Sequence, residues 1–409
     1  MKVKSFLFYA LLVFITMVAL SFFEKNQMQS GDCTSPYLSG AANWSFSKGW
    51  QVDVDEMQYF NTLEKHEKVD YRFKESNNTI SYHYNAIGLM YVDLVARTIF
   101  FWQGDLQSLV TLQQLFHIIF SFIVLILLPS LWQKISFFLL YTINPLILYL
   151  VDFPYYYFWQ VIPTAILLIY LLRDKKINNG IFLLSILFSL IVIIRPSTLF
   201  IILFVLFFIA YKERLLLKGF LSIALFLGLT FILKPDSVNQ PWHTMYIGVG
   251  AYPNEYNITL SDSDGFKRFE EERGGKILGC STNITNNELY EVYIGDFIKN
   301  KYFMILQESP ELIVKNAFLN IFQSYGLGHK ANNYIVNYIS VFIGFLLIVF
   351  LLYFKEYILF LAIGIASISF SPYYPPIAAY MFGSYILIIY AWIIIFNHLI
   401  KRKHYRDSC

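Results

Sequence analysis

Charge is scarce in this chain. Asp, Glu, Lys and Arg make up 14% of its 409 residues, where a soluble domain carries about 25%. That shortage excludes an ordinary water-exposed surface. The net charge of +3 leaves no basic surplus for nucleic acid, so no nucleic-acid partner is expected. Cysteine is rarer still, at three residues, too few for a disulfide framework. There is no internal repeat and no low-complexity tract. The long apolar runs hold no Asp, Glu, Lys or Arg in their interiors, and His117 is the main ionisable exception. Ion-coupled transporters place such groups at mid-membrane, so transport is disfavoured.

What the chain has in abundance is apolar and aromatic surface. Hydrophobic residues make up 57% and aromatics 19%, with 40 Phe and 31 Tyr, and mean hydropathy is +0.51. Runs of about 18 or more apolar residues are membrane spans. Ten are expected, near 5–23, 108–131, 135–152, 155–172, 178–194, 197–211, 219–233, 332–354, 357–371 and 376–399. The expected class is an all-α polytopic membrane protein, in contact with membrane lipids, with its first run retained as an anchor.

The connections give an orientation. With the N-terminus inside, the inner segments hold Lys2, Lys4, Lys134, Arg173, Lys175, Lys176, Lys212, Arg214, Lys218, Lys355, Lys401, Arg402, Lys403 and Arg406. Against these fourteen stand four acids, Asp174, Glu213, Glu356 and Asp407. Lys and Arg favour the cytoplasmic side, so both termini are expected there. Two large loops, 24–107 and 234–331, then face outward and cap a single membrane domain. "AIGLMYVDLVARTIFFW" (Ala86 to Trp102) carries Asp93 and Arg97 four apart, a helix-surface pair costly in hydrocarbon. It is expected to lie on the outer membrane surface as an amphipathic helix, as is Glu311 to Phe322. Composition rich in Ile, Lys and Asn points to a bacterial plasma membrane. Cys33 and Cys280 fall in the two outer loops, where they could pair or remain two free thiols.

The polar chemistry is therefore expected at the outer surface. "DVDEMQY" brings Asp53, Asp55 and Glu56 within four positions, followed by Tyr59. Adjacent carboxylates can share a divalent metal ion, or one can act as a base on a hydroxyl. Taken alone, such a cluster also suits a solvated loop. Arg195, before Pro196, stands at the outer end of a run, where it can snorkel or grip a phosphate with two hydrogen bonds. Lys234 ends another run, and His243 follows soon after; His243 would complete a metal set with Asp55 and Glu56. Trp242 and Tyr246 could stack on sugar rings. Asp262 reads as an ordinary loop acid.

A first span, an outer loop bearing D-E-x-x-Y as Asp55, Glu56 and Tyr59, and then many short-looped spans resemble the membrane glycosyltransferases of the C-type fold (GT-C). The resemblance is to the branch of protein O-mannosyltransferases and lipid A aminoarabinose transferases. "WHTMYIGVGAYPN" (Trp242 to Asn254) is similar to a W-H-x-x-Y-I-G-x-G-x-x-P-N pattern in bacterial members. The resemblance covers most of the chain in layout and some thirty residues in motif. It implies a polyprenyl-phosphate sugar as donor, and Asp55 as the catalytic carboxylate with Glu56 beside it. The acceptor would be a surface glycan, lipid or protein. The chain lacks the extra C-terminal spans or soluble domain of longer members, which leaves the acceptor open. A polymerase or ligase of surface polysaccharide, or a flippase of lipid-linked glycans, are the other readings.

Overall fold

The computed structural model describes residues 3–27, 34–46, 48–49, 51–76, 78–81, 87–173, 176–233, 241–277 and 287–407. They are mostly helical. Helix α1 (Val3–Gln27) leads into the first of two modules expected on the outer side, made of α2 (Ser35–Ser45), β1 (Gln51–Asp53), α3 (Val54–Thr62), α4 (Lys65–Asp70), β2 (Thr79–Ser81) and α5 (Gly88–Ile99). The strands pair antiparallel, with Val52 opposite Ile80. This short two-stranded ladder, next to the acidic segment, is an addition to the helical class expected.

The apolar helices follow: α6 (Asp105–Leu127), α7 (Leu131–Phe137), α8 (Pro145–Val151), α9 (Val161–Leu172), α10 (Gly180–Ile194), α11 (Leu199–Lys212) and α12 (Leu216–Leu233). The second module expected on the outer side comprises α13 (Trp242–Gly248), α14 (Asp262–Arg273), α15 (Asn287–Glu291), α16 (Lys299–Glu308) and α17 (Pro310–Gln323). The chain then returns to apolar helices α18 (Tyr334–Tyr353), α19 (Tyr357–Ser367) and α20 (Ala378–Asp407).

Among the described residues four helices are long and apolar enough to cross a membrane: Asp105–Leu127, Leu216–Leu233, Tyr334–Tyr353 and Ala378–Lys401. The pair Leu131–Thr142 and Pro145–Val151, bent by 53°, makes a fifth if counted as one span. Proline explains the bend, because Pro145 has no N–H to continue the helix. Asn144 caps the new start by accepting from the Leu146 N–H at 2.9 Å. Shorter apolar helices cover Leu7–Phe22, Phe158–Leu172, Gly180–Ile194, Pro196–Lys212 and Tyr357–Ser367. Large apolar side chains such as Leu183, Phe231 and Ile335 are exposed on them, which is consistent with a membrane protein.

Two elements position the site. Arg195 precedes a proline, which disfavours helical backbone at that residue. It is extended (φ −141°, ψ 92°) and ends α10, and Pro196 begins the next turn. Helix α5 packs on α2, α6 and α10. Its Gly88 lies so close to Ile193 and Ile194 that a Cβ would overlap their backbone. The surface-helix expectation for this segment is corrected in one respect: Asp93 and Arg97 are both buried. Arg97 pairs with Asp105 instead of Asp93. The Glu311–Phe322 segment is helical as expected, within α17, but packs closely along α18. Cys33, Lys234 and Cys280 lie outside the described residues.

Candidate functional site

The acidic cluster does not act as one unit. Asp53 is buried and caps α3, its Oδ1 accepting from the Glu56 N–H at 2.9 Å. Its own N–H donates to Ser39 Oγ at 3.0 Å. D-x-x-E is the spacing of a helix cap, a signal present in the sequence that favours structure over chemistry for Asp53. Glu56 turns inward. Its Oε1 accepts from Tyr71 OH at 3.0 Å and from the Lys74 N–H at 2.8 Å, while Oε2 is buried with no partner. Burial raises the Glu56 pKa above the ordinary carboxylate value, although both hydrogen bonds act to lower it. Asp55 points outward, exposed, with Asn78 Nδ2 donating to its Oδ2 at 3.1 Å. Tyr59 is exposed beside Tyr71, their rings 6.0 Å apart. Asp55 is thus the carboxylate open to a ligand, and Glu56 the one that holds the surrounding backbone.

The segment Glu56 grips is clamped from its other side. Asp105 Oδ2 accepts from the Phe73 N–H at 2.8 Å and from Arg97 Nη1, and Arg97 Nη2 donates to the Phe73 carbonyl at 2.8 Å. Asp93 is buried nearby with neither carboxylate oxygen hydrogen-bonded. Burial, and then the negative charge of Asp105, push its pKa well above the usual range.

Arg195 has a different environment. Its guanidinium lies 4.6 Å from the ring centroids of Tyr156 and Tyr380 and 5.3 Å from that of Tyr157. Arg195 is 8% exposed, and its Nε and Nη2 are buried without a hydrogen-bond acceptor. Tyr380 also lines a small pocket of mixed character with Gln160, Thr164, Thr198, Ile201, Ala366 and Ser384. A desolvated cation on aromatic faces, with two donors unused, has the chemistry to accept an anion.

In the second outer module His243 bridges two groups. Its Nδ1 meets Tyr293 OH, its Nε2 lies 3.2 Å from Asp262 Oδ1, and its ring stacks on Phe266 at 4.9 Å. Asp262 opens helix α14, which corrects its reading as a plain loop acid; its partner is 19 residues away, beyond local pattern. Trp242 packs against Phe303, with Lys299 over its ring. Tyr246 is 1% exposed within the module's core, so its ring offers no face to a sugar; only its buried hydroxyl lacks a partner.

Asp53, Asp55, Glu56 and Tyr59 come together on and around α3. Arg195 connects to the second module through packing: Tyr380 lies on its guanidinium, and Tyr374, part of the core around Tyr293, packs against Tyr380 at 5.1 Å. Helix α2 touches α3 and, through Tyr37, also Tyr155. His243 is bonded to Tyr293 and Asp262 rather than to Asp55 and Glu56. Among the described residues no three His, Cys, Asp or Glu side chains group as metal ligands. The sequence reading missed Tyr156, Tyr157, Tyr380, Tyr293 and Asp262. The run "PYYYF", which supplies Tyr156 and Tyr157, and the run "PYYPP", shortly before Tyr380, were visible, but in a chain with 31 Tyr they do not stand out. Comparison with known proteins finds no matching family model, no similar curated protein and no similar solved structure.

Proposed function

We propose that the protein is a membrane glycosyltransferase that moves a sugar from a polyprenyl-phosphate donor to a glycan, lipid or protein at the outer face of a bacterial plasma membrane. In this reading all ten apolar segments span, the shorter ones tilted or thinning the bilayer locally. Both termini are cytoplasmic, and the two helical modules cap the outer face.

The observation that carries the reading is Arg195: a buried cation on three tyrosine rings, with Nε and Nη2 unused. It stands where a helix ends, the depth at which a lipid phosphate sits. Fixed donors stabilise charge that develops on a leaving phosphate. Asp55, exposed on α3, is the carboxylate that meets the acceptor and orients or deprotonates its hydroxyl. Glu56 keeps α3 in place, and a divalent ion at Asp55 remains compatible with this role.

The test uses purified protein in detergent with a panel of radiolabelled polyprenyl-phosphate hexoses and pentoses. One donor is expected to support transfer. Arg195→Lys keeps the charge but loses the fork, so kcat should fall more than donor affinity. Lys and Gln variants both working at the wild-type rate would return Arg195 to a packing role. No transfer from any donor would overturn the reading as a whole.

A further inference from the structure

We propose that Asp262, backed by His243, is the group that accepts the proton of the attacking hydroxyl, and that Asp55 binds and orients the acceptor. The inference rests on the reading of Arg195 as the seat of a phosphate leaving group. It starts from a hydrogen-bonded chain outside the acidic motif: Tyr293 OH, His243 Nδ1, His243 Nε2 and Asp262 Oδ1.

With a neutral imidazole, Tyr293 donates to Nδ1 and Nε2–H donates to the Asp262 carboxylate; in either charge state of the ring, Nε2 is the donor to Asp262. Tyr293 is fully buried and His243 largely so, while the Asp262 side chain is 75% exposed. The chain therefore begins in the module's core and ends in a carboxylate with its second oxygen open. His243, stacked on Phe266, fixes that carboxylate; it is a positioning residue, with both ring nitrogens taken.

The location supplies the second half of the argument. Helix α13, which carries His243, packs its Gly248 against the Tyr373 carbonyl so closely that a Cβ would overlap it. The next residue, Tyr374, belongs to the core of the outer module and also packs against Tyr380 at 5.1 Å. Tyr380 lies on the Arg195 guanidinium. Tyr374 thus links the module that carries His243 and Asp262 to the tyrosine that lies on Arg195. An inverting displacement needs its base across the anomeric carbon from the leaving oxygen, a sugar's width from the phosphate.

The step balances without a further reactant. The acceptor O–H proton passes to Asp262 as the acceptor oxygen bonds to the sugar's anomeric carbon. The bond from that carbon to the phosphate oxygen breaks, and its electron pair stays on the phosphate held by Arg195. Asp262 then loses the proton to solvent.

The experiment uses the full chain with the donor selected from the labelled panel. Asp262→Ala should lower kcat by about 10²–10⁴ with donor affinity and melting temperature unchanged, and sodium formate should restore turnover. His243→Gln should lower kcat by about tenfold or more, a smaller loss than Asp262→Ala. Asp55→Asn should raise the acceptor KM more than it lowers kcat. Wild-type kcat in Asp262→Ala, while Arg195→Gln is impaired, overturns this assignment alone. A loss in Asp262→Ala that formate does not rescue, with a lowered melting temperature, makes the pair a structural staple and also overturns it. Absence of transfer by the wild-type protein from every donor overturns both readings.

Discussion

Arg97 and Arg195 are each 8% exposed, and each is held beside the end of a helix, yet the molecule uses them in opposite ways. Arg97 is saturated: Asp105 neutralises it, and the Phe73 carbonyl takes another N–H. Among the described residues Arg195 has no carboxylate paired with it; it lies over three tyrosine rings, shares a hydrogen bond with Tyr380, and leaves Nε and Nη2 without an acceptor. A buried ion pair is self-sufficient and leaves nothing for a ligand. Aromatic rings stabilise a cation without consuming all of its donors, so the Arg195 environment keeps two nitrogens in reserve. Equal burial of the same side chain therefore says little about role. What occupies the plane of the guanidinium decides it.

The sharpest break in that comparison is a pair of stability measurements. Arg97→Gln strands the buried Asp105 carboxylate and should cost about 3–5 kcal/mol, read as a large fall in thermal or denaturant midpoint. Arg195→Gln removes a cation with no carboxylate partner among the described residues and should cost about 2 kcal/mol, less than Arg97→Gln, while abolishing donor use. Comparable destabilisation in the two variants would mean that Arg195 too is saturated, and would remove its claim to a ligand.

Gly88 ties the two regions together, because α5 carries Arg97 and touches the backbone just before Arg195. Gly88→Ala forces a methyl into Ile193 and Ile194, overpacking that should cost about 1–3 kcal/mol. It should also lower transfer by displacing the Arg195 turn. A stability loss with unchanged kcat would show that the two regions are mechanically independent.

Asp93 gives the smallest effect and a test of sign. Its pKa is raised well above 3.8 in the folded protein, by burial and by Asp105. The folded state then holds the proton more tightly than the unfolded one. That contribution is fully present below the unfolded pKa and is lost as pH rises through the folded one. Asp93→Asn carries no charge to bury, so it should exceed wild type by on the order of 1 kcal/mol at neutral pH. The advantage should shrink as pH falls toward 4. An Asn variant less stable at neutral pH would show that Asp93 carries a needed charge, as a third member of the Arg97–Asp105 pair.

Long apolar runs, their short connections and the helix end at Arg195–Pro196 could be read directly along the chain. Burial in hydrocarbon and the missing proline N–H are properties of a residue and its immediate neighbours. The Asp53 cap was also within reach, because the Asp53-to-Glu56 spacing is itself local. The bend at Pro145 follows the same local rule. None of this depends on which helix packs where.

The site depends on little else. Asp55 and Glu56 are adjacent, yet one faces outward and the other inward, because α3 has to seal the Tyr71–Lys74 segment as well as cap the loop. Arg195 meets tyrosines 156, 157 and 380 only when α10, the turn before α9 and the start of α20 converge. His243 meets Asp262 and Tyr293 only when the outer module closes around Phe269 and Phe297. Composition and periodicity assign a residue to a face or a span. Which polar atoms are left empty is the remainder after every neighbour has taken its hydrogen bonds, and only packing between distant segments sets that remainder.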